Sequence, residues 1–166
     1  MLVPIEEYLH ASYHPDREYV DGVVVERNLG EKKHSRIKRK LIQYISNNYE
    51  QAGIEVFPEQ RVQVTPTRFR VPDVTVVQLA EEQGDIFTEP PYLVIEITSR
   101  EDSMMDVQEK IDDYLTFGIP YIWIVIPDLQ KGYVVTSARM IEAKSGFLET
   151  VDPAIRLPLS LLFPVS

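Results

Sequence analysis

With 166 residues, 44% of them hydrophobic and none of them cysteine, the chain suits one domain with a sizeable core and has no disulfide, thiolate metal site or cysteine nucleophile. A net charge of −9 argues against indiscriminate coating of nucleic acid, whose phosphates are held largely by basic side chains. No apolar stretch approaches the roughly 20 residues of a membrane span. The acidic start MLVPIEEYLHASYHPDRE lacks the pattern of a secretory signal, so the cytoplasm is the expected location.

Pro4 followed by IEEYLHAS predicts a short opening helix with proline in its first turn. REYV-DG-VVVER predicts a hairpin, because Asp21-Gly22 suits a turn that needs positive φ. From about 33 to 52 the spacing of Ile37, Leu41, Tyr44, Ile45 and Asn48 predicts a helix that Gly53 ends. Strands are expected at Ile54 to Val64, Arg70 to Gln78 and Tyr92 to Thr98, separated by Thr65-Pro66-Thr67 and by the segment around Gly84 and Pro90-Pro91. A second main helix is expected over about 103–117, burying Val107, Ile111, Tyr114 and Leu115, with Gly118 as its stop. Tyr121 to Ile126 is a nearly continuous apolar run, as in a strand covered on both faces. A terminal hairpin (Gly132 to Val135, Arg139 to Glu142) and a short helix near Leu159 to Phe163 complete a core order α-β-β-β-α-β preceded by a hairpin.

Two acids stand where apolar strands should run: Asp73 in VPDVTVV and Glu96 in LVIEITS. An ionised carboxylate in such a run is costly to bury unless a partner neutralises it, and a divalent cation is one such partner. Alternation places Val71, Asp73, Thr75 and Val77 on one face, and Tyr92, Val94, Glu96 and Thr98 on one face of the next strand. If the two strands pair, the acids converge. Lys110 lies one turn from Asp106 and from Tyr114, at the margin of the apolar stripe, from which its stem can carry the ammonium to the sheet edge.

The order of these residues resembles the PD-(D/E)XK nuclease superfamily. More narrowly, RVPDVTVV, PYLVIEITS, the D-x-x-x-K-x-x-x-Y of Asp106, Lys110 and Tyr114, and GIPYIWIVIP look like the Uma family of restriction endonucleases. The resemblance runs from the YVDGVVVE hairpin to the PLSLLF tail. It implies a single restriction-endonuclease-like α/β (α+β) domain over 1–166, with a mixed sheet flanked by helices, and Mg²⁺- or Mn²⁺-dependent hydrolysis of DNA phosphodiester bonds. Asp73, Glu96 and the main-chain carbonyl of Ile97 would hold the metal, and Lys110 would orient water or stabilise the transition state. One departure is Thr98, which stands where the superfamily pattern puts its lysine, with Lys110 on the following helix as substitute; another is Arg100 after Ser99, where the family often has proline. Nuclease relatives with one site per chain often pair, so a homodimer is expected.

Each residue also has a plainer reading. Asp73 can cap a turn or bond backbone amides, and Lys110 can form an ordinary surface pair with Asp106. His34 matches a histidine often found at that helix start and can touch the phosphate or the metal, or simply be solvated. Glu59 is either a third acid near the metal or an exposed strand residue, and Gln60 can present its amide to the site instead. Lys32, Lys33 and Arg36, in a basic run that continues through Lys38, Arg39 and Lys40, can contact nucleic-acid phosphates or form a solvated helix face. Trp123 and the Met104-Met105 pair read as packing. His10 and His14 have an i,i+4 spacing, but Pro15 and a helix end near Ser12 spoil it as a metal pair. The rival functions are a binding or assembly module that keeps the fold without cleaving, and a metal-dependent phosphodiesterase acting on another nucleic acid.

Overall fold

The computed structural model describes residues 1–28, 31–79 and 84–163. Helix α1 (Ile5–His10) and the hairpin β1 (Glu18–Val20) and β2 (Val23–Val25) open the chain, with Asp21 and Gly22 both at positive φ in the turn as the Asp-Gly pair predicts. Helix α2 (Lys32–Tyr49) follows, and a single 3-10 turn (Glu50–Ala52) closes it at Gly53, which takes φ 84.

The first expected core strand is two strands in two sheets. β3 (Ile54–Pro58) ends at Glu59, whose φ of 51 turns the chain, and β4 (Val62–Thr65) joins a different sheet. The next expected strand is likewise divided into β5 (Arg68–Arg70) and β6 (Val74–Gln78), so Asp73 sits immediately before a strand rather than within one. Continuous apolar patterning concealed both breaks, because alternation persists across a bend.

β7 (Leu93–Ile97), helix α3 (Met104–Phe117) and β8 (Tyr121–Ile126) form a parallel crossover unit in which Leu93 faces Tyr121 and Glu96 faces Ile124. Ser103 Oγ accepts from the Asp106 amide at 3.0 Å to cap α3, and Gly118, at φ 104, ends it. β9 (Lys131–Val135) and β10 (Met140–Glu142) form the expected hairpin. A further hairpin, β11 (Phe147–Thr150) with β12 (Ile155–Pro158), was not foreseen; helix α4 (Leu159–Leu162) ends the described chain.

The main sheet runs β10-β9-β8-β7-β6-β3, mixed because only β7 and β8 are parallel; a second sheet runs β2-β1-β5-β4. Ile37, Leu41 and Ile45 of α2 pack with Val74, Leu93, Ile95, Trp123 and Leu148 on one side of the main sheet. On the other, Ile111 and Tyr114 of α3 pack with Val62, Val77, Val94, Ile122 and Ile124. Each such fully buried aliphatic side chain contributes about 2 kcal/mol by leaving water. Trp123 is core as expected, whereas Met104 and Met105, in the first turn of α3, are exposed rather than packed. Among the described residues, no helix is long and apolar enough to cross a membrane.

Candidate active site

The β6–β7 register pairs Val74 with Ile95, which brings Asp73, one residue earlier, opposite Glu96. Asp73 Oδ2 accepts the Ile97 amide at 2.7 Å, so the acid is tied to the strand that carries the other. Both carboxylates are buried, Asp73 at 5% and Glu96 at 8% exposure. The sequence-based expectation that the two acids converge therefore holds, although Asp73 reaches the place from a bend.

Their environments differ. Burial would raise the Asp73 carboxyl, but the His34 ring, the Ile97 amide and the Arg27 guanidinium outweigh it and hold the acid below its usual range. Arg27 Nη2 lies 3.1 Å from Asp73 Oδ1, and His34 Nε2 faces the same oxygen at 3.4 Å, too poorly aligned for a hydrogen bond. Burial pushes Glu96 up to about 8; Lys110 draws it down, while Asp73 and Glu18 push it further up. Tyr114 Oη donates to Glu96 Oε1, and that phenol is itself held well above its usual range by burial and by Glu96.

Lys110 Nζ faces Glu18 Oε1 at 3.6 Å on the hairpin strand β1, rather than the Asp106 that helical spacing suggested. Burial would lower the ammonium's pKa, but Glu96 and then Glu18 outweigh it and keep the lysine charged. The ammonium thus feels Glu96 and, more weakly, Asp73, while its ion-pair partner Glu18 stands on the second sheet.

His34 is buried against Asp73, not a solvated helix-start residue. It also borders a cleft of about 180 Å³ with Lys33, Thr98, Ser99, Arg100 and Asp128. Glu59 is half-buried; it binds Lys38 at 2.8 Å and lies 3.7 Å from Arg27, so its charge is spent on cations at the bend. Gln60 borders a separate cavity with Leu9 and Arg61. Of the basic run, Lys32 and Arg36 are exposed, while Lys33 is paired with Asp128 at 3.0 Å, as is Arg100 through Nε.

Arg27 and Glu18 escaped the sequence reading. Glu18 carries the same signal as Glu96, an acid beside apolar strand residues Tyr19 and Val20, but the Asp-Gly turn drew attention to the hairpin's tip. Nothing local marks Arg27, whose role appears only when α2 and the Asp73 bend meet.

The two carboxylates are hard oxygen donors, the kind that Mg²⁺ or Mn²⁺ prefers while keeping several waters. Among the described residues, no cluster of three or more His, Cys, Asp or Glu is arranged to hold a metal. Arg27 occupies one flank of Asp73, so a cation there would share that acid with a guanidinium.

Comparison with known proteins agrees on the fold. A crystal structure titled as that of "a putative nuclease belonging to DUF820" from Anabaena variabilis ATCC 29413 superposes with a TM-score of 0.82 at 24% identity, covering 97% of each chain. The mixed α/β architecture is thus shared over nearly the whole length. A DrdV–DNA complex is similar at a TM-score of 0.44 and 14% identity over 74% of this chain and 10% of the other. No curated protein matches. The family model Uma2, described as "Putative restriction endonuclease", matches residues 5–163, and the chain belongs to that family.

Proposed function

We propose that the chain is a metal-dependent endonuclease that hydrolyses DNA phosphodiester bonds at the centre formed by Asp73, Glu96 and Lys110. The observation that carries this reading is the pairing of two buried carboxylates, one tied to the strand of the other, with the half-buried Lys110 ammonium within their electrostatic reach. Membership of a family described as restriction endonucleases supports it.

Asp73, Glu96 and the Ile97 carbonyl would hold Mg²⁺ or Mn²⁺. When bound, the cation would lower the pKa of a water and neutralise charge developing on the phosphate. Lys110 orients that water or stabilises the added negative charge. Tyr114 fixes the rotamer of Glu96 by donating to Oε1, and the Ile97 amide fixes Asp73. His34, between the cleft and Asp73, is placed to meet a phosphate oxygen. Lys32 and Arg36 at the start of α2 offer exposed charge to the nucleic-acid backbone, and Lys33 does so by releasing Asp128. Cutting both strands of a duplex calls for two such centres, so a homodimer is the assembly this reading expects.

One observation favours the rival, a non-cleaving module: Arg27 already supplies Asp73 with a positive charge. Incubating supercoiled plasmid with the protein in Mg²⁺ or Mn²⁺, with and without EDTA, separates the two. Nicking that EDTA abolishes supports the nuclease; DNA binding that ignores the ion, without nicking, supports the module.

A further inference from the structure

We infer that Glu18, on the N-terminal hairpin, is a positioning residue for Lys110: its carboxylate fixes where the ammonium stands relative to Glu96. The catalytic consequence depends on the nuclease reading above; the geometry does not.

Glu18 is 1% exposed, one of the most deeply buried charges in the fold. Its Oε2 accepts the Val71 amide at 2.8 Å, so the carboxylate cannot swing away. Its Oε1 accepts from Arg70 Nη1 at 3.3 Å and faces Lys110 Nζ at 3.6 Å. Arg70 in turn donates through Nε to Asp113 Oδ2 at 2.8 Å, and Asp113 lies on α3 just beyond Lys110. Arg68 reaches the same Asp113 through Nη1 at 3.0 Å and Asp21 of the hairpin turn through Nη2 at 2.8 Å. The backbone of α3 beside Lys110 is therefore pinned to the hairpin sheet, and the far end of the lysine is pinned there by Glu18.

Charge balance points the same way. Asp113 is paired with both Arg70 and Arg68, and Glu18 correspondingly faces Arg70 and Lys110. A role limited to bracing the Val71 amide would need only an acceptor oxygen, which a glutamine supplies. The negative charge matters only for what stands on the other side of it. Lys110 thus sits between two carboxylates from different sheets: Glu18 holds it, and Glu96 is what it serves.

The test uses Glu18→Gln in the full chain, because that change keeps an acceptor for Val71. Two readouts are taken. The first is the ¹⁵Nζ signal of Lys110 in EDTA, assigned by its loss in Lys110→Met; it needs no enzymatic activity. The second is plasmid nicking, resolved into turnover and KM. The Lys110 signal is expected to shift or to broaden beyond detection in Glu18→Gln, and turnover to fall about ten- to hundredfold while KM stays within about twofold. An unchanged Lys110 signal overturns the proposal, as does a loss confined to KM. If wild-type protein does not nick DNA at all, the nuclease reading fails while the Lys110 signal still decides the position of the lysine. Should Glu18→Gln not fold, the Glu18 ¹³Cδ shift in Lys110→Met replaces it: movement supports the contact, and an unmoved signal rejects it.

Discussion

Arg27 Nη2 stands 3.1 Å from Asp73 Oδ1, and both side chains are almost sealed from water. A guanidinium thus does for Asp73 in the bare protein part of what a cation would do. Truncating one partner of a buried pair leaves the other charge uncompensated, which typically costs about 3–5 kcal/mol. Arg27→Ala should therefore unfold earlier than wild type in EDTA, by about that order less the help His34 still gives. Mn²⁺ should raise its unfolding temperature by more than it raises that of wild type, as thermal denaturation in matched buffers would report. Equal Mn²⁺ effects on the two proteins would mean that the ion does not bind at Asp73.

Glu96 sets a pH dependence of known sign. Its folded-state pKa of about 8 lies above the ordinary 4.5, so the folded protein holds this proton more tightly than the unfolded chain. The stabilisation is complete below the unfolded value and is lost as pH rises through the folded one. Asp73 shifts downward instead, so its contribution is lost only on acidification below the ordinary carboxylate range. Between the two limits of the Glu96 window, metal-free wild type should lose stability with rising pH more steeply than Glu96→Gln. Calorimetric unfolding across that window in EDTA checks this, and parallel slopes for the two proteins would contradict it.

The helix that carries Lys110 depends on its cap. Removing the Ser103 hydroxyl frees the Asp106 amide, so Ser103→Ala should cost about 1 kcal/mol. In a chain of this size that corresponds to a fall in Tm of roughly 2–4 °C. Urea titration gives the same quantity as a shift of midpoint, and an unmoved midpoint would show that another group caps α3.

The elements that the sequence made legible are those whose signal is local. Gly118 ends α3, Asp21-Gly22 makes the hairpin turn, and the apolar run of β8 reads as a doubly covered strand. Glu96 was legible for the same reason, as an acid that nothing nearby in sequence could neutralise. The bends at Glu59 and Asp73 were not, because alternation continues across them and only the assignment of β4 and β5 to another sheet reveals the break. Lys110 stands out by its motif, and helical spacing offers it Asp106 as the plainer partner. The actual partner, Glu18, is 92 positions away, and Arg27 meets Asp73 across 46. Contacts of that separation leave no trace in spacing.

The most direct test compares plasmid nicking by wild type, Asp73→Ala and Glu96→Ala in Mn²⁺, each shown to be folded by circular dichroism. Wild type is expected to convert supercoiled plasmid to open circles, and each variant to lose at least about a hundredfold in rate, since each removes one of the two carboxylates proposed to hold the metal. Wild-type nicking rates in either folded variant would contradict the assignment of these two acids as the centre of the site.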